Sequence, residues 1–135
     1  MVEIKIVYEG DLRCHATHGP SGITLHTDAP VDNNGKGESF SPTDLVATAM
    51  GTCMLTIMGI LARKLNVDLK GTRVTVTKEM SPAPPRRIAR LAATLDIPTK
   101  VSPELRERLE QAALNCPVRL SVHPDIQMPA KFNWA

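Results

Sequence analysis

Across residues 45–62 the chain carries no charged side chain. The stretch opens behind Ser41-Pro42-Thr43-Asp44, a strong helix start: Ser41 can cap, Pro42 suits the first helical position, and Asp44 stands where a capping-box acid belongs. A helix running from there to about residue 66 is apolar on nearly every side and must be covered on nearly every side. One antiparallel sheet from a chain of 135 residues covers one face only. The simplest cover for the other is a second copy of the chain, so this helix is expected at the centre of a homodimer. Spanning a membrane is the competing use, and the stretch sits at the lower length limit for it. Thr48, Thr52, Thr56, Gly51 and Gly59 interrupt it, only Phe40 flanks it as an aromatic, and no second such stretch exists, so no membrane role is expected.

The rest of the chain is patterned mostly at period two. Residues 2–8 place Val2, Ile4, Ile6 and Tyr8 on one face, the signature of a half-buried strand. After the turn Glu9-Gly10-Asp11, Leu12, Cys14 and Ala16 alternate with Arg13, His15 and Thr17. A break at residues 18–22 leads to a third strand around residues 23–27. Residues 28–40 form a loop long enough to suspect function. Beyond Gly71, residues 73–78 alternate around Val74 and Val76. A Pro-rich connector at 81–85 follows, then Ala89, Leu91, Ala93, Leu95 and Ile97 form another apolar face, giving a second hairpin. Ser102-Pro103-Glu104 starts a second helix with the stripe Leu105, Leu109, Ala112, Ala113 and Cys116. Val118, Leu120 and Val122, then residues 125–132, predict one or two closing strands. The order βββ-α-ββ-α-β(β) indicates an α+β fold with antiparallel sheet around a long central helix, in one domain over residues 1–135.

Several function classes fall away. A formal net charge of +2 names no partner, and Arg86-Arg87 has no aromatic neighbour to stack on bases, so nucleic-acid binding is not expected. There is no Ser-His-Asp order, no phosphate loop after a strand and no C-x-x-C motif. A metal set of Cys14, His15, His18 and His26 lacks the paired spacing of a zinc site, and strand neighbours point to opposite faces, so neither metal nor cofactor is expected. The odd count of three cysteines, with an N-terminus that lacks an apolar signal core, points to a reducing cytoplasm.

In that compartment cysteines are buried or reactive more often than bridged. Cys53 lies mid-helix beside Ala49, Met50, Thr56 and Ile57, an ordinary core setting, and Cys116 closes the second helix before Pro117. Cys14 reads as a core residue on the Leu12/Ala16 face. Mid-helix placement denies Cys53 the thiolate support of a helix N-terminus, so an active Cys53 needs a cation from elsewhere. Arg13, which shares a strand face with His15, and Arg87, which leaves the Pro-rich loop, are candidates. Glu38, in the loop that feeds the first helix, is the carboxylate hardest to dismiss as surface.

The Ser-Pro-Thr-Asp-Leu helix start, Cys53 and Asn115-Cys116-Pro117-Val118 together resemble the OsmC/Ohr family, the osmotically induced and organic hydroperoxide resistance proteins. The family's helix motif is Asn-Pro-Glu-(Glu/Gln)-Leu, of which residues 41–45 are a variant. The resemblance spans nearly the whole chain. It implies an intertwined homodimer and a cysteine-dependent peroxidase that reduces organic hydroperoxides in oxidative-stress defence. Cys53 would be the peroxidatic thiol and Cys116 the resolving one, and an external dithiol, lipoyl-type or small, would be the reductant. It implies a glutamate and an arginine beside the thiolate, with Glu38 matching the first. The glycine-rich turn that carries the arginine in the hydroperoxide branch is His18-Gly19-Pro20-Ser21-Gly22 here, which leaves Arg13 or Arg87 to substitute. That departure also keeps open a non-catalytic dimer that binds a hydrophobic ligand or senses oxidation through its thiols.

Overall fold

A computed structural model describes residues 1–135, which form two compact units, 1–46 and 47–135. The first is an antiparallel meander of β1 (Ile4–Gly10), β2 (Arg13–His18) and β3 (Thr24–Asp28) in the order β1-β2-β3. Gly10, Asp11 and Leu12 all have positive φ, which tightens the first turn and takes Leu12 out of the strand where alternation placed it. Cross-strand partners share a face, so the pairs Ile4↔His18, Ile6↔Ala16, Tyr8↔Cys14 and Ala16↔Leu25 define one largely apolar surface. The expected half-burial of β1 is not met within one chain: Ile4, Ile6 and Tyr8 are 58%, 65% and 63% exposed. Cys14, read as core, is half-buried.

The loop after β3 folds back on the strand's end. Asp28 is buried, its N–H donates to the Phe40 carbonyl (3.1 Å), and its Oδ2 accepts from the Glu38 N–H (3.0 Å). A short 3-10 helix, α1 (Val31–Asn33), makes the bend. Gly35 donates to the Pro30 carbonyl at 3.0 Å, and a Cβ there would collide with the Ala29 carbonyl, so only glycine fits. Next comes α2 (Pro42–Lys64), opened by a reciprocal capping box: Ser41 N–H donates to Asp44 Oδ2 at 2.9 Å, and Asp44 N–H to Ser41 Oγ at 3.1 Å. It ends with Asn66 in the left-handed region and Val67 N–H closing on the Ala62 carbonyl at 2.9 Å.

In the second unit, Ala47, Met50, Gly51, Met54, Met58 and Ala62 form the buried side of α2. Their spacing of three and four residues is one helix face. At Gly51 the helix backbone lies so close to β4 (Arg73–Met80) that a Cβ would stand 2.9 Å from Val76 Cγ2. The sheet order is β4-β5-β6, with β5 (Ile88–Ile97) antiparallel to β4. Leu91, Ala93, Leu95 and Ile97 point inward as alternation predicts. Strand β6 (Ala130–Trp134) pairs with β5 in parallel, because the chain crosses over through α3 (Pro103–Leu114) before returning. Ser102 Oγ caps α3 by accepting from Leu105 N–H, and Leu109 and Ala113 are its buried positions.

The strand expected at Val118, Leu120 and Val122 is instead a short helix, α4 (Pro117–Ser121). Pro117 stands at its first position, where a fixed φ favours helix, and Leu120 N–H bonds the Cys116 carbonyl at 3.2 Å. Three alternating apolar residues were too few to outweigh that start, and Leu120 is 71% exposed. Of residues 125–132, Gln127 makes an isolated parallel bridge to Arg90, and the strand proper begins at Ala130.

One side of α2 stays open. Ile60 is 50% exposed, and Thr48, Thr52 and Thr56 face outward. By length and composition alone the helix could cross a membrane, a test that core helices of soluble proteins also pass, and 33% of its most apolar window is buried.

Candidate functional site

Cys53 and Cys116 meet inside the second unit. Cys53 comes from the middle of α2 and is half-buried; Cys116, fully buried, is the residue between α3 and α4. Asn115 ends α3, and Cys116 turns extended (φ −66°, ψ 148°) ahead of Pro117. Because Pro117 has no N–H to extend α3, the chain breaks there and the Cys116 sulfur is fixed toward α2. The two thiols are free, and Cys53 is near enough to act on the ionisation of Cys116. An unbridged pair in that relation is poised for dithiol–disulfide chemistry.

Burial pushes the Cys116 thiol above its ordinary value, since an apolar setting disfavours the thiolate. The Arg119 backbone N–H pulls it back, without closing a cap hydrogen bond. The facing Cys53 raises it again, by hydrogen bond and by charge, and the Arg119 guanidinium lowers it. That guanidinium is tethered from α4: its Nε donates to the Leu114 carbonyl, at the end of α3, at 3.1 Å. Its Nη1 is buried without a hydrogen-bond partner.

Arg119 was not singled out from the sequence. The signal was present in Cys-Pro-x-Arg, because a proline starting a new helix turns position +3 back toward the cysteine. Reading residues 118–122 as a strand pointed Arg119 the wrong way.

The other expected partners fall elsewhere. Arg13 and Glu38 are joined in the first unit, Nη1 to Oε2 at 3.0 Å, with side chains 33% and 56% exposed. The fold-back of the loop onto Asp28 sets Glu38 against the start of β2. Arg87 stays on the β4–β5 hairpin, where its guanidinium donates to the Ile88 carbonyl at 3.2 Å; the cation acting on Cys116 is Arg119. His15 and His26 stack at 4.5 Å, with His26 against Glu9 at 3.2 Å, while His18 pairs with Ser21 at 2.6 Å. No three metal-ligating side chains converge.

The family model for OsmC-like proteins matches residues 35–129, from the loop before α2 to the edge of β6. A Psychrobacter arcticus protein, described as an osmotic stress induced and detoxification response protein, has a crystal structure 44% identical in sequence with a TM-score of 0.93. The match covers 98% of this chain and 96% of that one. The fold also recurs in organic hydroperoxide resistance proteins. That of Legionella pneumophila is 17% identical, with a TM-score of 0.78 over 98% of this chain and 96% of that one. That of Elizabethkingia anophelis is 14% identical, with a TM-score of 0.79 over 100% and 96%. None of the curated proteins matches the chain.

Proposed function

The chain belongs to the OsmC-like proteins, and from that premise we propose that it is a cysteine-dependent peroxidase that reduces organic hydroperoxides. The observation that carries the reading is the free, facing pair of Cys53 and Cys116. The Cys53 thiolate attacks the distal oxygen of the hydroperoxide. The O–O bond breaks, the alkoxide leaves as the alcohol after taking a proton, and Cys53 becomes a sulfenic acid. Cys116 then displaces hydroxide from that sulfur and closes a disulfide, which an external dithiol reopens by exchange. Glu38 and Arg13, joined by an ion pair, remain the residues proposed to support the thiolate.

The working form is a homodimer. Two apolar surfaces lack cover from their own chain, the Ile4/Ile6/Tyr8 face of the meander and the Ile60 side of α2, and a second copy is the partner that would bury them. Three unbridged cysteines suit a reducing cytoplasm. No cofactor is needed, since substrate and dithiol between them carry the electrons.

The test is consumption of a bulky alkyl hydroperoxide with a dithiol reductant. Catalytic turnover is expected. A protein that consumes no more than one equivalent, whichever reductant is supplied, would instead be the thiol sensor or ligand-binding dimer.

A further inference from the structure

Arg119 is the charged side chain that acts on Cys116, and its guanidinium is only partly engaged. Its Nε is committed to the Leu114 carbonyl at 3.1 Å, which fixes the guanidinium plane. Its Nη1 is out of contact with water and has no protein acceptor. A buried charged donor left without a partner is costly, and such groups are kept where a charge develops during function. The anion Arg119 acts on is the Cys116 thiolate, on the N-cap residue of the same helix.

We infer that Arg119 is the positioning residue of disulfide formation: tethered to Leu114, its guanidinium holds the negative charge of the Cys116 sulfur as that sulfur attacks Cys53. The reaction rests on the peroxidase reading; the charge relation does not. In the step itself the Cys116 thiolate forms the S–S bond and the S–O bond of the Cys53 sulfenic acid breaks. Hydroxide departs and takes a proton to become water, and no further oxidant is needed once the hydroperoxide has been reduced. The titratable groups that face Cys116 are Cys53 from α2 and Arg119 from α4. Burial and Cys53 both oppose its ionisation, while the Arg119 backbone N–H and, beside it, the guanidinium charge favour the thiolate.

Two measurements separate the inference from the reading beneath it. In the first, Cys14→Ser and Cys53→Ser leave Cys116 as the only thiol, and its thiolate absorbance is titrated with and without Arg119→Gln. The expected result is a thiolate fraction about tenfold lower at a fixed pH near neutrality in the Gln protein, restored in large part by Arg119→Lys. An unmoved titration would overturn the inference whether or not the protein is a peroxidase. In the second, all cysteines are present and one equivalent of alkyl hydroperoxide is added. Arg119→Gln should leave sulfenic acid formation at Cys53 unchanged and slow disulfide closure about tenfold, with the pH profile of closure displaced to the alkaline side. Equal slowing of both steps would mark a merely structural role and overturn the inference. Failure of the unmodified protein to form sulfenic acid would sink the peroxidase reading alone. Should Arg119→Gln not fold, Arg119→Lys decides: the retained charge should keep the thiolate fraction within about twofold, and a tenfold fall would contradict it.

Discussion

Cys53→Ser is expected to abolish catalytic consumption of hydroperoxide, a loss of about three orders of magnitude or more, while the fold stays intact. A serine hydroxyl ionises far above a thiol, so in that position it cannot act as the nucleophile. The half-buried Cys53 packs as a small side chain, and an oxygen for sulfur leaves its helix untouched. Cys116→Ser should behave differently. The first equivalent of hydroperoxide is still reduced, because Cys53 still attacks, but the sulfenic acid has no thiol to close on and turnover falls to whatever the external thiol does directly. Stopped-flow consumption against limiting reductant separates the two variants. A Cys53→Ser protein as active as the unmodified one would refute the assignment outright.

Ile60→Lys is expected to remove the dimer, giving monomer or aggregate in sedimentation at micromolar protein. Within one chain Ile60 is 50% exposed, so a lysine there should fold with little loss. Any large effect must then come from assembly. A two-fold interface repeats the change, so two ammonium groups must be desolvated near one another without partners, each at a cost of several kcal/mol. Met58→Lys cannot make the same distinction. Met58 is wholly buried in its own chain, and a charge there breaks the protomer core before any interface is at stake. A folded monomer for the unmodified protein would refute the dimer, and an unperturbed dimer in Ile60→Lys would place the interface elsewhere.

The legible parts of the chain were those where local chemistry and tertiary packing agree. The capping box at Ser41 and Asp44, the inward face of β5 and the Ser102 start of α3 are each set by residues a few positions apart. Period two failed where the apolar face carries no cover in this structure: β1 alternates like a half-buried strand, yet Ile4 to Glu9 are exposed. It failed again at residues 118–122, where one proline fixed the backbone more firmly than three aliphatic residues could.

The site was legible in a similar pattern. Cys53 and Cys116, singled out in the sequence, act on one another in the structure, and Glu38 and Arg13, singled out separately, are joined. Their joining depends on a buried Asp28 that anchors the loop through its backbone, a relation with no signature in spacing. Arg119 was missed because its direction follows from the turn at Cys116 and not from composition.

The central claim is that Cys53 and Cys116 form one redox pair, and thiol mapping tests it most directly. The reduced protein is treated with one equivalent of an alkyl hydroperoxide, remaining thiols are alkylated, and the peptides are identified by mass. The account predicts a Cys53–Cys116 disulfide, formed with loss of two hydrogens, and an alkylated Cys14. Three alkylated cysteines, or a disulfide that includes Cys14, would contradict it.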